Sequence, residues 1–276
     1  MQTYETIATS IDSGVLFATL NSPPINLIGP ELVRDLLDLL NVLEHDETIK
    51  VVVFSSADPE FFIPHVDIAR IADYTKETGR VGGPASGSLG GLFRRLSDAR
   101  QVTIAQVEGF ARGAGSEFAL ACDMRFASRE HAAFCQIEAG FGAVPGAGAL
   151  QHLTRLLGRG RAMEVILSSG DFDADTAERY GWINRAIPQA DLAPFVRSLA
   201  LRIATFPEDG LIANKRRIND ISLPPLSDIR MDAALFQQTI SGPRGRARTA
   251  EMLAGGMQTR GPLEHDFPAA LGRLTS

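Results

Sequence analysis

Apolar and polar residues alternate between positions 3 and 20, broken at Asp12-Ser13-Gly14, and this pattern predicts a β-hairpin. Beyond Asn21-Ser22-Pro23-Pro24 the period changes. Leu32, Val33, Leu36, Leu37, Leu40 and Leu43 recur at helical spacing behind Pro30 and Glu31, so an amphipathic helix is predicted there. Val51-Val52-Val53-Phe54 is a continuous apolar run, short enough for a strand buried on both faces. Between Tyr74 and Gly91 lie Gly79, Gly82, Gly83, Gly87, Gly90 and Gly91 with no clear period, which predicts a lid or binding loop that resumes as helix near Leu92.

Further short strands are predicted at 102–107, at 124–127 and around Phe134, and helices at 113–120 and 147–157. After Phe206-Pro207 the pattern is helical, over 211–218 and 231–255, with a break at Ser241-Gly242-Pro243. Strands alternating with helices favour an α/β layered core. The chain is therefore divided into a core over residues 1–205 and a helical region over 206–276.

Composition narrows the function classes. The 276 residues carry 45% hydrophobic and 22% charged side chains, as in ordinary globular proteins, and a formal net charge of −6 argues against nucleic acid as a partner. The start, MQTYETIATSID, lacks the basic and apolar segments of a signal peptide, and no apolar run approaches the roughly 18 residues of a membrane span. Cys122 and Cys135 form no CxxC pair, which suits a reducing compartment; a cytoplasmic location without membrane contact is expected. His45, His131, His152 and His265 are scattered without metal-ligand spacing, so no metal is predicted. No GxxxxGK[ST] loop is present, and no GxGxxG follows a strand.

Chemistry concentrates in Ile104 to Met124, IAQVEGFARGAGSEFALACDM. A strand runs into Gly109, a turn follows, and Gly113-Ala114-Gly115 opens a helix whose first N–H groups lack intrahelical partners and carry partial positive charge. Such a place can hold a developing oxyanion, and Glu117 stands three residues past Ala114, about one turn into the helix. On the residues alone, a tight helix–strand packing site with a favourable first-turn acid explains the pattern equally well.

The same segment resembles the defining motif of the enoyl-CoA hydratase/isomerase (crotonase) superfamily. The likeness extends through FCQIEAGFGAVPGAGALQHLTRLLGRGRAMEVILSSGDFDADTAERYGWINRAI and covers PPINLIGPEL and DPEFFIPHVDIARI upstream. It implies a crotonase-like spiral of repeated ββα units, with the C-terminal helices used in a homotrimer or homohexamer. It also implies an acyl-CoA thioester substrate and no cofactor beyond the coenzyme A that the substrate carries.

Residue by residue, the resemblance assigns the two oxyanion amides to Val66 and Ala114. Glu117 matches one acid of the family hydratases, and Glu138 matches the other after a one-residue insertion in the Ser128–Ala133 turn. His65, Asp67, Ile68, Gly113, Gly115 and Gly142 are the accompanying substrate-binding positions. Hydration of a 2-enoyl thioester needs a base for water and an acid for the α-carbon, which two carboxylates can share. Glu117 is assigned to water and Glu138 to the α-carbon proton. Asp123 is expected to hold backbone at a strand start, and Arg70 and Lys215 are candidates for the CoA phosphates by analogy. Only Lys50, Lys76 and Lys215 are lysines, so a single arginine says little about phosphate.

Two departures from the family pattern stand out. Pro64-His65 replaces a small residue and glycine, which can re-aim the first amide or bring an imidazole toward the acyl group; a loop histidine of no special role is the alternative. PGAGALQHL lacks a further glycine and an arginine of its relatives. Hydratase leads the readings because both acids are present. An isomerase using one carboxylate, an acyl-CoA hydrolase or decarboxylase, and a non-catalytic CoA-binding scaffold are the alternatives.

Overall fold

The computed structural model describes residues 3–82 and 87–275. The hairpin forms as predicted: β1 (Ile7–Asp12) pairs antiparallel with β2 (Val15–Leu20) across a two-residue turn in which Ser13 and Gly14 both take positive φ. Helix α1 (Pro30–His45) begins with Pro30 in its first turn and buries the predicted leucine and valine face. Strands β3 (Val51–Ser56), β5 (Val102–Val107), β7 (Met124–Ser128) and β10 (Arg185–Ile187) extend the hairpin into a six-stranded sheet, order β1-β2-β3-β5-β7-β10, parallel beyond the first pair.

A second sheet, order β4-β6-β8-β9, comprises β4 (Phe61–Ile63), β6 (Phe110–Arg112), β8 (Ala133–Cys135) and β9 (Phe172–Asp173). Strands β3, β5 and β7 each lead directly into β4, β6 and β8, and a helical segment follows each pair. This is the repeated ββα unit that the resemblance implies, giving two mixed sheets with C-terminal helices after them. The chain crosses between sheets where there is no room for a side chain: a Cβ on Gly109 would lie 2.1 Å from the carbonyl oxygen of Glu60.

The stretch predicted as a loop over 74–91 is largely helical where it is described. Helix α2 (Ile71–Thr78) and a 3-10 turn (Gly79–Val81) occupy its first part, α3 (Leu89–Asp98) its last, and Gly83 lies outside the described residues. Ile71, Tyr74 and Thr78 share one face at i, i+3 and i+7, and Tyr74 and Thr78 are buried. The glycines that follow hid that short repeat.

After α4 (Ala114–Ala121) and α5 (Ala149–Leu157), the chain adds α6 (Arg159–Ser168), α7 (Ala174–Tyr180) and α8 (Gln189–Ala204). The predicted helical region then contains α9 (Glu208–Ser222), α10 (Leu226–Ile240), α11 (Pro243–Ala254), α12 (Pro262–His265) and α13 (Phe267–Arg273). These helices fold back onto the core. Ile240, Met252, Met257, Phe267 and Leu271 pack in one apolar cluster with Cys135, Ile137 and Phe141.

Candidate active site

Helix α4 is gripped from two sides. Phe118 meets Phe54 of β3 and Phe93 of α3 edge-on, with ring centroids 5.1 and 5.7 Å apart, and Ser116 Oγ accepts from the buried Trp182 Nε1 at 3.2 Å. Every residue of α4 is buried. Glu117, on the remaining face, points into a cavity of about 280 Å³. Its Oε1 accepts from the main-chain N–H groups of Ala147 (2.7 Å) and Ala149 (3.1 Å), in the turn that opens α5. Burial pushes the Glu117 carboxyl up to about 7, against these two donors and with the Asp232 charge adding to the rise.

The small residues at the start of α4 serve main-chain contact. A Cβ on Gly115 would stand 1.9 Å from the carbonyl oxygen of Ile63, so glycine allows the end of β4 to press directly on the helix. That contact carries the next segment, Pro64-His65-Val66-Asp67, alongside Ala114. Ile28 pairs with it as a single parallel bridge: Ile28 N donates to His65 O, and Asp67 N donates to Ile28 O. The backbone groups of Val66 therefore face away from Ile28. Among the described residues, neither the Val66 N–H nor the Ala114 N–H has an acceptor, and both residues line the cavity.

Glu138 begins a 3-10 turn (Glu138–Phe141) after β8 and is buried, with no hydrogen-bond partner for Oε2 among the described residues. Burial first, and the Glu117 charge second, push its carboxyl well above the ordinary carboxylate range. The two acids thus differ in surroundings. Main-chain N–H donors of Ala147 and Ala149 favour the ionised form of Glu117, whereas burial and the Glu117 charge outweigh the backbone hydrogen bond that favours that of Glu138.

Of the positions singled out in the sequence, His65, Val66, Ile68, Ala114, Glu117 and Glu138 line this one cavity. Asp67, Gly113, Gly115 and Gly142 stand outside the lining. Asp67 Oδ1 accepts from Gln258 Nε2 at 2.7 Å. Gly113 turns the chain into α4 at φ +49°, and a Cβ there would lie 3.0 Å from Glu138 Oε1. Gly142 ends the 3-10 turn at φ +71°.

His65 is also spoken for. Its Nδ1 lies 2.8 Å from the carbonyl oxygen of Val66, and its Nε2 lies 3.0 and 3.1 Å from the two oxygens of Glu264. Both ring nitrogens therefore already have oxygen partners, and neither is available to an acyl group. Burial alone would push the Glu264 carboxyl up, but the charge and hydrogen bond of His65 hold it below its ordinary value.

Three further contributors lie outside the candidate site residues that the sequence singled out. Tyr74 lines the cavity from α2, and its hydroxyl is pushed up by burial and then by the Glu117 and Asp67 charges. Helix α10 closes the cavity with Ala233, Phe236 and Ile240, and Gly146 leaves room for Phe236. Glu264 comes from α12. The glycine-rich PGAGAL and the stretch read as a binding loop from Tyr74 to Gly91 carried the signals, because repeated glycines mark close backbone approach.

Both basic residues named by analogy for the CoA phosphates already have protein partners. Arg70 makes a bidentate pair with Glu31, at 2.9 and 2.8 Å. Lys215 is buried, donating to Gln101 O at 2.7 Å and pairing with Asp123 Oδ2 at 2.8 Å. The same carboxylate oxygen of Asp123 accepts from Thr103 N at the start of β5. A second cleft, about 780 Å³, lies beside Lys215 between α5, α8 and α9, and neither Glu117 nor Glu138 lines it.

Residues 10–252 match the enoyl-CoA hydratase/isomerase family. The chain belongs to that family and is an enzyme of the crotonase superfamily. Among individual relatives, it is 32% identical over 207 residues to the short-chain-enoyl-CoA hydratase of Clostridium acetobutylicum, covering 74% of this chain and 77% of the other. It is 30% identical over 239 residues to the 1,2-epoxyphenylacetyl-CoA isomerase of Escherichia coli, covering 86% and 90%. A crystal structure from Streptomyces avermitilis, described provisionally as an enoyl-CoA hydratase, is 58% identical with a TM-score of 0.98, covering 100% of this chain and 99% of that one. No helix among the described residues is long and apolar enough to cross a membrane.

Proposed function

We propose that this enzyme adds water across the double bond of a 2-enoyl-CoA thioester. The observation that carries the reading is that two buried carboxyls, Glu117 and Glu138, line one cavity with Val66 and Ala114, whose main-chain N–H groups have no acceptor among the described residues.

The thioester oxygen would accept from the Val66 and Ala114 N–H groups, which hold the negative charge of the enolate better than that of the ground-state carbonyl. Glu117, whose ionised form its two donors favour, would take a proton from water as the oxygen attacks the β-carbon. Glu138, kept protonated by burial and by its neighbour, would deliver a proton to the α-carbon. The product gains one hydroxyl and one hydrogen, and the proton held by Glu117 returns to Glu138 by way of solvent. Ile68, Ile137, Phe141, Phe236 and Ile240 supply an apolar wall suited to an acyl chain.

Assembly into a homotrimer or homohexamer, with 206–276 as the helical region involved, is part of the same reading. Ile218, Ile221 and Met231 are 61%, 72% and 62% exposed on α9 and α10, an apolar surface that a second copy would cover. Two buried free thiols suit a cytoplasmic setting.

The deciding experiment incubates the protein with a panel of acyl-CoA thioesters and follows water gain, double-bond migration and free CoA by mass spectrometry and chromatography. Water gain on a 2-enoyl-CoA, lost by a factor of about 10² to 10⁴ in Glu117→Gln and in Glu138→Gln, is expected. Double-bond migration that survives Glu117→Gln would replace this reading with an isomerase. Binding without turnover of any thioester would leave a CoA-binding scaffold.

A further inference from the structure

Glu264 is hydrogen-bonded to the chain neighbours of both Val66 and Ala114, His65 and Arg112, although it lies in α12, 199 residues from His65 and 152 from Arg112. Its side chain receives His65 Nε2, and His65 in turn reaches the carbonyl of Val66 through Nδ1. Its main-chain oxygen receives Arg112 Nη1 at 2.5 Å, on the last residue of β6 and two positions before Ala114. Arg112 is held by Asp171 at 2.8 and 2.6 Å and by the face of Phe110, with its Cζ 3.7 Å from the ring centroid.

The turn before α12 reinforces the contact. Gln258 N donates to Glu264 Oε1 at 2.6 Å, and Gln258 Nε2 donates to Asp67, the residue after Val66. Phe267 packs on the His65 ring with centroids 5.3 Å apart. His65, Arg112 and Glu264 are at most 1% exposed.

We infer that Glu264 and His65 are positioning residues that set the separation and aim of the Val66 and Ala114 N–H groups. The inference rests on the oxyanion reading proposed above. A histidine at position 65 lacks the backbone freedom of glycine, and the buried pair restores a fixed conformation by tying the segment to the C-terminal turn. Arg112 ties the other amide-bearing segment to the same residue. A small relative movement of the two donors weakens binding of the enolate more than binding of the substrate, because only the enolate needs both at full strength.

The test uses the full-length protein, hydration kinetics, thermal melting, and the ultraviolet band of the enolate of bound acetoacetyl-CoA. Glu264→Gln, which removes the charge and one acceptor, is expected to lower kcat by about tenfold to a hundredfold with KM changed less than about threefold, and to weaken the enolate band. His65→Phe combined with Glu264→Leu removes both buried polar partners and keeps apolar packing on Phe267. It is expected to recover melting temperature relative to Glu264→Gln while kcat stays low. Recovery of kcat together with stability, or an unchanged kcat in folded Glu264→Gln, overturns the positioning role. Ala114→Pro separates the two layers, because proline is tolerated at the first helical position but has no N–H. If Ala114→Pro loses the enolate band and Glu264→Gln keeps it, the oxyanion reading stands and the positioning role fails. If Ala114→Pro keeps the band, the oxyanion reading fails, and the positioning role fails with it.

Discussion

The carbonyl oxygen of Ile63 rests directly on Gly115, so close that a Cβ there would stand 1.9 Å from it. This contact brings the end of β4 against the start of α4. Gly115→Ala is expected to destabilise the protein by about 1–3 kcal/mol through overpacking, because neither main chain can yield without moving its sheet or helix. Urea unfolding measures the loss. Hydration should fall further than stability explains, since the Val66 segment follows Ile63 by three residues. An alanine variant of wild-type stability and rate would show that the contact is slack.

Glu117 is kept near 7 by burial, against an ordinary value of 4.5, so the unfolded chain gives up this proton more readily than the folded one. Stability from this group is intact below pH 4.5, declines as pH rises from 4.5 to about 7, and is gone above. The Glu117→Gln variant has no such dependence at this position, and its amide oxygen can still accept from Ala147 and Ala149. It is therefore expected to be more stable than the wild type at pH 8, by an amount on the order of 3 kcal/mol at most, and much closer to it at pH 4.5. Denaturant melts at the two pH values test this; an advantage that shrinks with rising pH would contradict it.

The same pair is expected to set the pH dependence of turnover. The rate is expected to rise on the acid side as the pair loses its first proton, near pH 7, and to fall on the alkaline side as it loses the second. Glu138→Gln should remove the alkaline limb together with most of the rate. A flat profile between pH 5 and pH 9 would take both carboxyls out of the proton transfers.

Helix α10 reaches the cavity across Gly146, where a Cβ would stand 2.6 Å from Cβ of Phe236. Gly146→Ala is expected to push α10 outward and loosen the apolar wall, costing about 1–3 kcal/mol. The functional mark should be a higher KM that varies with acyl length, with kcat affected less. Steady-state kinetics on thioesters of increasing chain length provide the measurement. An unchanged KM at every length would mean that α10 does not bound the acyl site.

Much of the architecture could be read from local pattern. The leucine face of α1, the turn at Ser13-Gly14, the buried β3 run and the break between α10 and α11 all appear where periodicity placed them. Of the second sheet only β8, around Phe134, was legible, because β4 and β6 are three residues long and β9 is two, too short for a period of two to declare itself. Helix α8 carries Pro194 in its interior, which argues against a helix when only local preference is weighed. Helix α2 was hidden by the glycines that follow it.

The candidate site divides along the same line. The small residues before Glu117 and the first-turn acid are chemistry of adjacent positions, and the chain alone determined them, as it determined the strand–helix alternation. Whether Glu117 and Glu138 share a cavity, whether His65 faces substrate or Glu264, and whether Lys215 is free or buried depend on residues far apart in the chain. Backbone periodicity reports only which face of an element is apolar. Partners for a buried polar side chain are decided where the layers meet, and there the tertiary structure gave His65 to Glu264 and Lys215 to Asp123.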